Sequence, residues 1–392
     1  MTSEGFRLGL NYLPSDSFIF FWYRFRPAAI RRDFAWIKER GFRIVRIFLL
    51  WEAFQPESRK IETSSLRNLA AICEAAHEEG LKIIVTLFVG HLSGMNLLPP
   101  WLLEPKEGKQ RFPIYSSFKI RSASILDFFK DKGLREAQRL LVREVANVLQ
   151  GHPSVFAFDL GNEPSNILLP HEDHFRLWLE DMVEAAKSYD NVPLTLGLHQ
   201  EDLLRRSAFH PRIVKEYTDF LSIHAYPFYL PSIEAPLDES FPLFLSELTK
   251  WLGESEKAVV MEELGAPSDP GIELVDGGFR LYKEEEVEWY LRDALTLLFR
   301  SGTETALIWC YSDYERPLWD TPPFDRNVHE RFFGLRRFDG REKSYANLAR
   351  ELHIERTEAL PRDWINIERD EYFEDPVSHM RRLFSRFKAS KG

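Results

Sequence analysis

Eight times along the chain a short apolar run is followed by a longer amphipathic one, and that alternation limits the fold more than any single residue does. The short runs cover 6–13, 43–51, 81–89, 155–160, 193–198, 220–225, 258–263 and 305–310. The longer runs, with helical spacing of apolar positions, cover 27–40, 64–79, 133–149, 172–188, 201–217, 241–252, 283–300 and 343–352. Runs such as RIVRIFLL and KIIVTLFV are apolar on both faces, the pattern of parallel strands covered by helices. Eight such units predict an α/β chain closed into a (β/α)8 TIM barrel. An open doubly wound sheet would normally carry a glycine-rich phosphate turn after its first strand, and NYLPSDSF has none.

Long βα connections decorate this barrel. Segments 90–132 and 311–342 leave the C-terminal ends of the third and eighth strands, and the first connection, PSDSFIFFWYRFRP, is dense in aromatics. Barrel active sites lie on that face, and loops of this length often act as walls or lids. The expected organisation is one catalytic barrel over 1–354 and a C-terminal extension over 355–392 that packs on it.

Composition removes several classes of partner. A net charge of −10 argues against nucleic acid and an anionic membrane surface. The two cysteines, Cys73 and Cys310, show neither a metal-type nor a disulfide-type spacing. No run of about 18 apolar residues is present, and no signal-peptide pattern precedes the first strand, so the expectation is a cytoplasmic protein. Aromatics make up 14% of the chain; many belong to the core, and a surplus of this kind also supplies stacking surfaces for ligands.

In a barrel, polar residues that end apolar runs converge on one mouth. These are Arg46 on the second strand, His91 just past the third, Asn162 and Glu163 on the fourth, His224 and Tyr226 on the sixth, Glu262 and Glu263 on the seventh, and Trp309 on the eighth. Strands four and seven lie nearly opposite each other, so carboxyls from both can meet. Two carboxyls in an aromatic-walled pocket suit glycoside hydrolysis, in which one donates a proton and the other stays ionised. Neighbours on a strand face opposite ways. One of Glu262 and Glu263 is therefore expected to aim at the pocket and the other toward the helices.

With Asn162-Glu163-Pro164 and Glu263-Leu264-Gly265 in view, the chain resembles the clan A glycoside hydrolases, most of all family 5, over about residues 5–350. The resemblance implies that Glu163 is the acid/base, Glu263 the nucleophile, and Asn162 a ligand of the sugar 2-hydroxyl. It implies that Arg46 hydrogen-bonds the nucleophile, that His224 lines the subsite and that the Tyr226 hydroxyl orients the nucleophile. Trp309 would floor the reacting sugar. His91 follows Gly90 where many members carry Asp-x-His, and is taken as substrate-binding. Trp22 and Trp51 are expected stacking surfaces, with Trp101 and Trp319 as further candidates.

The resemblance implies a retaining enzyme that uses no cofactor and no metal. Its substrate would be a β-linked glucose- or mannose-type oligosaccharide or polysaccharide. Exo action of the β-mannosidase, β-glucosidase or β-galactosidase kind is expected, with an endo-mannanase or endo-glucanase as the alternative. A sugar-binding barrel without catalysis is the rival from another class. A barrel aldolase of the Schiff-base kind would need a lysine at the strand ends, and these strand ends carry none.

Overall fold

A computed structural model of the chain describes residues 6–106, 108, 110–272, 279–353 and 363–390. Eight parallel strands close into a barrel. They are β1 (Arg7–Asn11), β2 (Ile44–Leu50), β3 (Lys82–Val89), β4 (Val155–Asn162), β5 (Leu194–Leu198), β6 (Leu221–Ala225), β7 (Val259–Leu264) and β8 (Thr305–Ile308). Each pairs with its sequence neighbours and β8 returns to β1, with Leu8 opposite Ala306 and Leu10 opposite Ile308.

The principal helices after the first seven strands are α1 (Pro27–Glu39), α2 (Thr63–Glu78), α3 (Lys132–Val148), α4 (Glu172–Ala186), α5 (Pro211–Tyr217), α6 (Phe241–Gly253) and α7 (Glu284–Arg300), with one extra α turn at Trp51–Phe54. The helix expected over 201–217 is split, because Pro211 fixes its own φ and pushes His210 out of the helical region. Gln200–Leu204 forms a short 3-10 turn instead, and α5 starts at Pro211. The eighth helix shrinks to a 3-10 turn at Ser344–Asn347 and one α turn at Leu348–Glu351.

Period-two alternation stacks the barrel interior in layers. Ile44, Ile84, Ala157, Phe220, Val260 and Leu307 form a buried apolar plug. Two residues further along their strands, the inward positions become Arg46, Thr86, Asp159 and Glu262, all fully buried. This polar layer is the foundation of the site above it.

The boundary expected at 354/355 lies outside the described residues. Beyond it, the helix Pro376–Ala389 lies on α6. Phe384 stands 5.0 Å and Trp364 5.4 Å from Phe244, ring centre to ring centre, and Arg369 Nε donates to the Trp251 carbonyl at 2.6 Å. No described helix is long and apolar enough to cross a membrane.

Candidate active site

Two strand irregularities aim the acidic groups. On β4, Asp159 pairs with Thr195 and Asn162 with Gly197, three steps against two. The slip lets both Asp159 and Asn162 face inward, where a regular strand would have turned one of them out. On β7, Met261 pairs with Ile223 and Glu263 with His224, leaving Glu262 as an extra residue. Alternation from Val260 already directs Glu262 inward, and the bulge brings Glu263 in as well. The expectation that Glu262 turns toward the helices is therefore wrong. Its carboxylate is fully buried, 3.5 Å from Arg46 Nε and 3.6 Å from His224 Nε2.

Glu163 follows β4 in the left-handed backbone region, with φ 46° and ψ 50°. That conformation costs a non-glycine residue about 1–2 kcal/mol, and the Glu163 amide is held to the Gly197 carbonyl at 3.0 Å. The turn lifts its carboxylate over the barrel mouth. There Oε1 accepts from His224 Nδ1 at 2.7 Å and Oε2 from Asn166 Nδ2 at 2.9 Å. Across the mouth, Glu263 Oε1 accepts from Arg46 Nη1 at 2.6 Å and Oε2 from the Tyr226 hydroxyl at 2.7 Å. One oxygen of Glu163 lies within 4.8 Å of one oxygen of Glu263. Retaining glycosidases hold their carboxyls about 5–5.5 Å apart and inverting ones about 6.5–9.5 Å.

A cavity of about 290 Å³ opens above this pair, near the lower end of ligand pockets, about 300–1,000 Å³. Of the expected substrate-binding residues, His91, Asn162, Tyr226 and Trp309 line it. Arg46 and His224 do not. Both are fully buried beneath it, because the polar layer needs cations where four carboxylates converge. Arg46 reaches Asp159 at 2.7 Å, Asn162 at 2.8 Å and Glu263 at 2.6 Å, so it positions the site without facing the ligand.

Trp51 and Trp22 are not stacking platforms. Trp51 sits among Phe88, Trp101 and Phe128 with its indole donating to Gln55. Trp22 packs on Phe54 and donates to the Phe48 carbonyl. Their apolar surface is needed to seat the first two βα connections, and neither lines the cavity; nor do Trp101 and Trp319.

Residues 2–315 match the family described as Cellulase (glycosyl hydrolase family 5). The chain belongs to glycosyl hydrolase family 5. It is accordingly a retaining O-glycosyl hydrolase, in agreement with the carboxylate gap. Solved structures similar in fold include a GH5_18 protein from Streptomyces cattleya in complex with GlcNAc, with 23% identity and a TM-score of 0.75 over 91% of this chain and 83% of that one. A GH5_18 protein from Bifidobacterium longum subsp. longum ATCC 55813, in complex with Manb1-4GlcNAc, has 22% identity and a TM-score of 0.72 over 88% and 77%. The exo-beta-1,4-mannosidase Op5Man5 from Opitutaceae bacterium strain TAV5 has 22% identity and a TM-score of 0.71 over 88% and 59%. Among curated proteins no match is found.

Charge in this family 5 site is tightly balanced. Burial opposes a charge on His224, yet Glu263, Glu163 and Glu262 hold its pKa up to about 10. Burial raises the Glu163 carboxyl, but His199, His224 and His91 outweigh it and keep it below the ordinary range. For Glu263 burial wins, raising the carboxyl despite His224, Arg46 and Tyr226. Burial also drives His91 down to about 4, leaving it neutral, with Nδ1 2.8 Å from Asn96 Oδ1. Glu163, His224 and Glu263 are close enough to share an ion. Their oxygens are already taken by His224, Asn166, Arg46 and Tyr226, a donor set suited to carboxylates rather than to a metal.

Several pocket residues escaped the sequence reading. His199, 3.9 Å from Glu163 Oε1, directly follows β5 and would have been found by the strand-end rule applied to TLGLHQ. Asn166, Arg111, Tyr229, Asn327, His329 and Glu330 sit in loops, where no period marks a side chain as inward.

Proposed function

We propose that the chain is an exo-acting β-mannosidase-type hydrolase of short β-linked oligosaccharides, working by double displacement through Glu263 and Glu163. Glu263 attacks the anomeric carbon while Glu163 passes its proton to the leaving oxygen, and the glycosidic bond breaks. Glu163 then takes a proton from water, the water oxygen bonds to the anomeric carbon, and Glu263 is released with net retention. The Arg46 cation and the Tyr226 hydroxyl offset charge on Glu263 as it leaves. The proton that Glu163 needs is at hand on His224 Nδ1. Sugar entering the pocket expels water, which disfavours the His224–Glu163 ion pair and moves the shared proton onto the carboxyl.

One observation carries the exo reading: the loop after β3 is tied across the mouth to the loop after β8. Asn327 Nδ2 donates to the Ser93 carbonyl at 2.8 Å. An endo enzyme needs a cleft that runs past the carboxylates at both ends, and this tie joins two loops of the pocket wall, Ser93 and Asn327 both lining the cavity. Mannose as the reacting sugar follows the fold neighbours, one holding Manb1-4GlcNAc and one named an exo-beta-1,4-mannosidase.

The test is a panel of aryl β-mannoside, β-glucoside and β-galactoside with β-1,4-linked manno-oligosaccharides, read by product chromatography. Release of single mannose units from one chain end supports the proposal. Internal cuts would move the enzyme to the endo-mannanase reading, and sugar binding without turnover to the non-catalytic one.

A further inference from the structure

The mechanism leaves one buried acid of the pocket unused. Glu330 lies in the short turn Val328–Phe332 of the β8 loop, 8% exposed, and its side chain lines the cavity with those of His329, Tyr229 and Asn327. A buried carboxylate without a cation is expensive unless it is hydrogen-bonded or used. Among the described residues Glu330 has no cation beside it, the nearest basic group being the neutral His329 ring, 3.5 Å away. Burial and the charges of Glu263 and Glu163 push its carboxyl up to about 7, against the Tyr229 and Ser93 hydroxyls that stabilise the ion.

Its orientation is fixed by a one-way chain of hydrogen bonds. Burial keeps His329 neutral, with its pKa near 4. Its Nε2–H can then donate to the Tyr229 oxygen at 2.7 Å, and the Tyr229 hydroxyl donates to Glu330 Oε1 at 2.9 Å. That chain occupies one Glu330 oxygen.

The backbone around it is fixed as well. The Glu330 amide donates to the Asn327 carbonyl at 3.0 Å, and Asn327 in turn grips Ser93. Ser93 and Gly94 form a tight turn with φ 50° and 74°, and a Cβ on Gly94 would come within 2.6 Å of Asn327 Nδ2. The wall is fitted, not incidental.

The wall also stands at a defined end of the pocket. Tyr229 packs 5.7 Å from Tyr226, whose hydroxyl holds Glu263. Arg111 and Asn166, by contrast, gather around Glu163, from whose side the leaving group departs. Glu330 therefore faces the sugar that stays on the nucleophile.

We propose that Glu330, held by Tyr229 and backed by the Asn327–Ser93 tie, is a specificity-determining residue that accepts a hydrogen bond from a hydroxyl of the terminal sugar remote from the reacting carbon. The inference rests on the exo reading above and assigns that reading its end wall.

The test compares wild type with Glu330→Gln and Tyr229→Phe on 4-nitrophenyl β-mannoside and its 3-, 4- and 6-deoxy analogues. Glu330→Gln should lower kcat/KM on the parent by about 10- to 100-fold, the range of a hydrogen bond to a charged group. It should lose little or nothing further on the one analogue that lacks the bonded hydroxyl. An equal loss on every analogue, or no loss on any, overturns the proposal. If Glu330→Gln does not fold by circular dichroism, Tyr229→Phe carries the same comparison. If the wild type cleaves no aryl β-glycoside, the exo-hydrolase reading fails on its own. Calorimetric binding of D-mannose then decides the wall: at least tenfold weaker binding to Glu330→Gln and Tyr229→Phe sustains it. Equal binding to all three proteins, or none to the wild type, sinks it.

Discussion

At the scale of single residues, the site is a problem of four carboxylates and two cations. Asp159, Glu163, Glu262 and Glu263 surround Arg46 and His224. General acid catalysis contributes about 10²- to 10⁴-fold, so Glu163→Gln should lose that much kcat/KM on substrates with poor leaving groups. It should lose far less on activated aryl glycosides; equal loss on both, in steady-state assays, would remove the acid role. His224 gives a prediction for stability. Its folded pKa, held up to about 10 by the carboxylates against burial, lies above its ordinary 6.5. The folded state therefore binds the extra proton, and the stabilisation is complete below about pH 6.5 and lost as pH rises through about 10. Urea unfolding across that window should show stability falling with pH, with a shallower fall in His224→Gln. Glu163 and Glu263 were legible in the sequence as the ends of strands four and seven. That Arg46 and His224 lie beneath the pocket was not, since strand alternation gives a face and not a depth.

At the scale of elements, bulges and loop ties decide which legible residues meet. The alternation rule sent Glu262 outward because it assumes a regular strand, and the extra residue on β7 breaks that assumption. The strand and helix runs themselves were readable from apolar spacing, and six of the seven long helices begin within one residue of the expected start. The exception, α5, was displaced by Pro211. Loop residues such as Asn327 and Glu330 carried no periodic signal at all. The Ser93–Gly94 turn offers a test at this scale. Gly94→Ala places a side chain at φ 74° and crowds Asn327. It should cost about 1–2 kcal/mol from the backbone alone and raise KM more than it lowers kcat. A variant with wild-type KM would separate the tie from the pocket.

At the scale of the whole molecule, the barrel brings distant parts of the chain to one point and the C-terminal segment braces it from outside. Phe244 of α6 is fully buried against Trp364, Phe384 and Phe387. Phe244→Ala should cost about 3–5 kcal/mol by chemical denaturation while leaving KM unchanged, because this contact is remote from the cavity. The eight-unit alternation made closure readable. It could not show how tightly the closure joins Glu163 to Glu263, which rests on bulges and one left-handed residue. A slow 2-deoxy-2-fluoro β-mannoside with an activated leaving group tests that joining most directly, by trapping the glycosyl-enzyme for peptide mass spectrometry. The label should fall on Glu263. Attachment to Glu262, or turnover of the probe with no attachment at either glutamate, would contradict the account.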